Sequence, residues 1–444
     1  MDDTTAGNSL PALTGGQTLK RAEEMLSAGD TTGSFDLARG YWLSHPEDMQ
    51  AVRLLARIVE QSGRAPLAEQ LLKFAATDNV LESSPQLLFD TGYQLIDERQ
   101  FQLAAMLLDY AVRVCPDEPV IRYELGFALM AVRKFDEALP HFEKALALAE
   151  DFDTHLNISV CYTLKRDAQK ARHHLERLVE LSETTDTASV GGKDEIQKEL
   201  ANRKLSLRRL ELLSSKPSLN ARDWFFILYG GLLLEDLSLS GIAHADTAGS
   251  EMSKVAEAVL SMRGAMDAVG MEFDMIEYHS HSARPLAEAL GRLLDLPVEA
   301  ISDFSRLDRT LLVIAWGEEL IDSFRMLTRN DGYRVLFAYG IPNNSPLPIT
   351  PDIVAHLQPD CDLPWHQELL EYHASDRGAL SLPDEAMAAL VDQLLIRCSA
   401  LESNPNFIRH TADLADYFSP KKKLLIVGNQ ENIAERPEYT AEVP

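Results

Sequence analysis

The stretch EYHSHSARPLAEAL, residues 277–290, sets two histidines one residue apart, His279 and His281. Neutral imidazole nitrogens are common ligands for divalent transition metals, and a His-x-His pair behind a strand is one way to begin such a site. Further ligands would have to come from Glu277, Asp360, Asp362, His366 or His373. None of these stands at a fixed helical spacing of the His-Glu-x-x-His kind, so the sequence assigns no metal and no cofactor. The plainer reading is a strand-to-helix turn in which Ser282 caps the following helix and His279 and His281 line a pocket for a small ligand. A second candidate is Glu318 and Glu319, directly behind the apolar run TLLVIAW. Acids there suit a ribose hydroxyl or a metal, but also the first turn of a helix, where they meet the positive end of its dipole. Gly249, Ser250 and Ser253 offer an anion-binding turn or, more simply, a helix cap. Phosphate-binding glycine loops, the dinucleotide fingerprint and the nucleophile elbow are all missing. Cys115, Cys161, Cys361 and Cys398 are far apart and have no base near them in sequence. They read as reduced, mostly buried thiols.

The elements that would hold these residues begin near Ala221. Continuous apolar runs (WFFILYG, FDMIEYH, TLLVIAW, YRVLFAY, KLLIVGN) read as buried strands. They alternate with helical patterns in SEMSKVAEAVLSMRGAMDAVG, ARPLAEALGRLLDL, ELIDSFRMLTR and DEAMAALVDQLLIRCSALE. Such alternation predicts an α/β domain with a mostly parallel, open sheet covered on both faces. GIPNNSPLPITPDIVAHLQPDCDLPW, with its prolines, reads as a long insertion loop. In open sheets of this kind, ligands bind beyond the carboxyl ends of the strands, where His279, His281, Ser282, Glu318 and Glu319 fall.

The first half has a different texture. Gly92 and Gly126, Ala104 and Ala138, and Ala111 and Ala145 are each 34 residues apart. An upstream unit on Ala56, Ala68 and Ala75 fits with a two-residue insertion, and a downstream unit on Ser159, Ala171 and Leu178 fits with a one-residue deletion. A weaker first unit carries Ala38 and Trp42. Each unit shows an apolar period near 3.6, as in FDEALPHFEKALALA, with small residues where two helices approach closely. One helical hairpin cannot bury its apolar face alone, so such units stack on their neighbours. Leu125–Gly126, Ala138, Phe142, Ala145 and the preceding Pro116 make this region resemble the tetratricopeptide repeat family. The large aromatic that usually opens the first helix is displaced, with Tyr123 nearest.

The resemblance implies an all-α superhelix whose first helices line a concave groove. The inward positions would be Arg53, Arg57, Phe89, Tyr93, Tyr123, Phe127 and Met130, followed by Leu156 and Val160. Within each unit these lie three or four residues apart, on one helical face. An aromatic, Met-containing groove suits an apolar segment of a protein partner, with the two arginines selecting an acidic flank. The competing readings are that the aromatics pack between hairpins, that the chain's own helix fills the groove, or that the groove mediates self-association.

Composition narrows the partners. The chain has 444 residues and a net charge of −27. Residues 1–192 carry −12, residues 193–222 carry +4 and residues 223–444 carry −19. So acidic a chain is a poor nucleic-acid binder, because that role needs a basic face. No apolar run is long enough to span a membrane. The opening MDDTTAGNSLPALTGG lacks the basic-then-apolar pattern of a secretory signal, so a cytoplasmic location is expected. The expected organisation is a disordered 1–16, helical repeats over 17–182, a linker and basic amphipathic helix over 183–220, the α/β domain over 221–429, and a polar tail over 430–444. The basic helix, with Arg203, Lys204, Arg208 and Arg209, would cap the superhelix or dock on an acidic surface. The favoured function is an adaptor or scaffold. The alternative is an enzyme or small-ligand-binding α/β domain, acting on a phosphorylated or polar metabolite and recruited by its repeat half.

Overall fold

The computed structural model describes residues 15–77, 79–184, 193–235, 250–301, 308–321, 333–341, 347–357, 363–365 and 382–425. The chain divides into two compact units, Met1–Asp186 and Thr187–Pro444. The expected polar tail lies outside the described residues, as does the expected disordered start except for Gly15 and Gly16, which open the first helix.

The first unit is five helical hairpins in succession. They are α1 (Gly15–Ser27) with α2 (Thr31–Ser44), α3 (Met49–Gln61) with α4 (Ala65–Phe74), α5 (Pro85–Asp97) with α6 (Phe101–Val114), α7 (Pro119–Ala131) with α8 (Phe135–Leu148), and α9 (Phe152–Leu164) with α10 (Ala168–Thr184). The second helix of each hairpin packs on the first helix of the next. Stacking therefore completes a core that no single hairpin could bury. Gly92 and Gly126, with Ala104, Ala111, Ala138 and Ala145, are all buried. A Cβ on Gly126 would lie 2.8 Å from Cδ1 of Phe142, and one on Gly92 would lie 2.8 Å from Cγ of Leu108. The glycine thus sets how closely the two helices of a hairpin meet.

The turn inside every hairpin repeats too. Gly29, Gly63, Arg99, Arg133 and Arg166 all adopt positive φ, from 57° to 87°. Each donates its N–H to a carbonyl three residues back, and the next residue donates to one five back, as Lys134 does to Leu129 at 2.9 Å. This is the closing motif of a helix that ends in a left-handed residue. The steps between these residues follow the same insertion and deletion that the small core residues show. Three of the five hairpins make the turn with arginine, which gives up about 1–2 kcal/mol relative to glycine at each.

The second unit opens with α11 (Lys193–Leu212) and α12 (Ala221–Tyr229). The run WFFILYG, expected as a strand, is α12. Asn220 and Asp223 form a capping box at its start, and Gly230, at φ 68°, ends it. An apolar run of this length fits a buried helix as well as a strand, and the caps decide between them. The basic helix α11 belongs to this unit. Its Arg209 is 1% exposed and donates from Nε to Leu424 O at 2.8 Å, so this side chain is an internal brace rather than surface charge. Burial pushes its pKa down to about 9.

Six parallel strands follow: β1 (Leu232–Leu233), β2 (Met275–Tyr278), β3 (Val298–Ala300), β4 (Thr310–Trp316), β5 (Arg334–Ile341) and β6 (Ile353–Leu357). Their order across the sheet is β1-β6-β5-β4-β2-β3. The remaining helices among the described residues are α13 (Ser250–Val269), α14 (Arg284–Leu294), α15 (Asp384–Glu402) and α16 (Pro405–Phe418). Strand β6 is a correction: it runs through the segment read as an insertion loop. Of KLLIVGN, Lys423 and Leu424 close a 3₁₀ turn, and the residues after Leu425 lie outside the described set. Of ELIDSFRMLTR, only the opening turn is described.

The topology creates one special place. From β2 the chain moves outward to β3, then returns to lay β4 on the other side of β2 and continues away through β5 and β6. The connections behind β2 and β4 therefore depart in opposite directions. A crevice outside the carboxyl ends of those two strands is where open α/β sheets receive ligands.

Candidate functional site

In the first unit, the first helices of successive hairpins touch along α1–α3, α5–α7 and α7–α9. Two hydrogen bonds join equivalent positions 34 residues apart: Arg57 Nη1 to Glu23 Oε1 at 3.0 Å, and Asn157 Nδ2 to Tyr123 Oη at 3.0 Å. Arg53 donates to Ala75 O at 2.8 Å. Phe89 and Tyr93 stand 6.0 Å apart by ring centroid, and Phe127 packs edge-on against Phe101 of the preceding hairpin at 6.2 Å. Tyr93 is 44% exposed, Phe89 and Phe127 are half-buried, and Met130 is buried. Tyr93 is thus the open aromatic of the set, while Tyr123 is braced by Asn157 and by an edge contact with Phe142.

Sequence reasoning missed the acids beside that face. Burial, with Asp97 adding repulsion, pushes the Glu124 carboxyl up to about 7. Burial likewise raises Asp153, helped by Asp151. The signal was available, since Glu124 shares a helix with Tyr123 and Phe127, and Asp153 shares one with Leu156 and Val160.

In the second unit, β2 stops at Tyr278, so His279 and His281 lie in the turn and not on one strand face. They diverge for that reason. His279 donates its backbone N–H to Val313 O at 3.1 Å, beside β4, and its Nδ1 stands 3.3 Å from Glu319 Oε2. The other oxygen, Oε1, accepts the backbone N–H groups of Ala315 and Trp316, both at 3.1 Å. The end of β4 thereby fixes the Glu319 carboxylate, which in turn faces the imidazole. His281 Nδ1 is shut off from solvent and has no hydrogen-bond partner among the described residues, and burial, with Arg284 nearby, lowers its pKa. Glu318 is exposed.

Ser282 does not cap α14. Its carbonyl accepts from Nε1 of the fully buried Trp365 at 3.0 Å, while Ser280 Oγ takes the Ala283 N–H at 3.1 Å. Glu277, considered as a metal ligand, is instead fully buried against Arg334, whose Nε and Nη2 donate to Oε2 at 3.0 and 2.7 Å. Asp360, Asp362, His366 and His373 lie outside the described residues. Among the described residues, no three His, Cys, Asp or Glu side chains gather into a metal set.

The first unit defines a class: a helical-repeat scaffold built from stacked antiparallel hairpins. Residues 119–152, which are α7, the turn at Arg133 and α8, match the model of the tetratricopeptide repeat family. The match covers the α7–α8 hairpin alone, and the other hairpins share its stacking and its closing turn. No curated protein matches the chain. Among solved structures, MamA from Desulfovibrio magneticus RS-1 is similar at 17% identity, covering 39% of this chain and 97% of that one with a TM-score of 0.26. MamA of AMB-1 is similar at 21% identity, covering 39% and 93%, also with a TM-score of 0.26. These likenesses are too distant to carry a structural argument.

Proposed function

We propose that the protein is a docking scaffold whose repeat unit holds a segment of a protein partner along its first helices. A tetratricopeptide repeat array has a protein-interaction scaffold role in general. The observation that carries the finer reading is Tyr93, a large aromatic left 44% exposed on a first helix beside half-buried Phe89. Aromatic anchors of this kind dominate interface energetics. Phe127 extends the apolar surface by one repeat, and Met130 supports it from beneath. Arg53 and Arg57 offer guanidinium groups to an acidic flank of the ligand, and Arg57 would exchange its exposed pairing with Glu23 for one with the partner. No helix of the described residues is long and apolar enough to cross a membrane, so nothing there adds a membrane anchor to docking.

The test is affinity purification of the full chain from its source lysate, comparing wild type with Tyr93→Ala/Phe127→Ala. A stoichiometric partner lost from the double variant, with circular dichroism unchanged, is the expected result. Retention of that partner by the folded double variant refutes the groove.

A further inference from the structure

The second unit carries a site that the scaffold reading does not use. We propose that the crevice between the carboxyl ends of β2 and β4 binds a neutral, ring-bearing small molecule with vicinal hydroxyls, held by His279 and Glu318 and flanked by Trp316.

The argument starts from Glu319. Two backbone N–H groups of β4 occupy its Oε1, so the carboxylate cannot turn, and Oε2 is held 3.3 Å from His279 Nδ1. The two atoms face each other without closing a hydrogen bond, but a carboxylate on that side still favours the tautomer with its proton on Nδ1, which leaves Nε2 with a free lone pair. Nδ1 is shut off from solvent, yet the His279 side chain is 22% exposed, so the accessible edge of the ring is the one carrying Nε2. The result is a hydrogen-bond acceptor at the switch point of the sheet. The turn that carries it is held at three points: His279 N–H on Val313 O, Ser280 Oγ on Ala283 N–H, and Ser282 O on Trp365.

Charge selects the ligand. Glu318 and Glu319 close the same strand end, and Arg284 is engaged by Glu288 and Asp384. A phosphate or carboxylate would meet like charge, whereas hydroxyl groups can donate to both Nε2 and the exposed Glu318. Half-buried Trp316, at the last position of β4, offers a ring face of the sort that sugars and bases stack on. A nucleoside and a hexose share this chemistry, and the experiment separates them.

Full-length protein is titrated with adenosine, methyl glucoside and inorganic phosphate, each followed by saturation-transfer NMR and calorimetry. Saturable binding of one of the two hydroxylated probes is expected. Its affinity should fall by roughly tenfold or more in His279→Ala, the loss of one hydrogen bond to a polarised group. Glu319→Gln, which keeps the backbone hydrogen bonds, should weaken it less. Wild type that ignores both hydroxylated probes refutes the proposal. Phosphate binding in their place does so as well, as does unchanged affinity in a folded His279→Ala variant.

Discussion

Replacing Arg334 by Met should unfold the second unit far more easily while leaving the repeats intact. Glu277 sits on β2 and Arg334 on β5, with β4 between them. The register aligns Met275, Thr310 and Arg334 in one row and Glu277, Leu312 and Leu336 in another, so the ion pair runs diagonally across the central strand. Exposure is 3% for the Arg334 side chain and 0% for that of Glu277. Removing the guanidinium leaves a carboxylate in the core. Losing one member of a buried pair costs about 3–5 kcal/mol, consistent with two charge-assisted hydrogen bonds at about 1.5–3 kcal/mol each. With a urea slope of about 3 kcal/mol/M, the midpoint should fall by roughly 1–1.7 M. Tryptophan fluorescence is the right probe, because Trp224, Trp316 and Trp365 lie in this unit and only Trp42 in the other. The double variant Glu277→Leu/Arg334→Met should recover most of the loss, since apolar pairs commonly replace buried ion pairs at little cost. A single variant within about 1 kcal/mol of wild type would show that the pair is not what holds β2 and β5 in place. A double variant as unstable as the single would refute the uncompensated-charge argument.

Other outcomes follow from the repeat unit. Gly126→Ala should destabilise it by about 1–3 kcal/mol, because Phe142 is fully buried and cannot retreat, whereas Gly40→Ala, with nothing near its Cβ, should gain up to about 1 kcal/mol; thermal melts at 222 nm compare them. Arg133→Gly should stabilise by about 1 kcal/mol by relieving the left-handed turn, visible in the same melts. Glu124→Gln should raise Tm at pH 8 and leave it unchanged near pH 4. The Glu124 carboxyl titrates near 7 when folded, above its ordinary 4.5, so wild-type stability falls as pH rises across that interval. The reverse sign applies to His174, which burial, with His155 beside it, lowers to about 4. Its neutral form is favoured, stability is fully present above pH 6.5 and is lost on acidification, and His174→Gln should flatten that slope in a pH series of urea melts.

Much of the first unit was legible because its contacts are local and recur. A small residue where a hairpin's two helices cross, such as Gly126 against Phe142 or Gly92 against Leu108, returns from hairpin to hairpin, so packing writes a period into the residues. The left-handed turn obeys the same period but escaped notice, since arginine occupies it three times and gives no compositional hint. In the second unit the runs of β2, β4 and β5 were readable as buried strands. Strand β6 was hidden among prolines, and α12 was misread although Asn220, Asp223 and Gly230 announced a helix.

The sequence by itself determined the repeat, the small residues at its helix crossings, the change to an α/β texture near Ala221, and the placing of His279, His281, Glu318 and Glu319 behind strands. Only the tertiary structure decided the strand order. With it came the pairing of His279 with Glu319 rather than with His281, the removal of Glu277 into an ion pair with Arg334, and the use of Arg209 as an internal brace. The physical reason is range. Helical period and caps act over a few residues and leave their mark in order along the chain. A parallel sheet joins segments tens of residues apart, and which side chains meet at its edge depends on the order in which the strands are laid down.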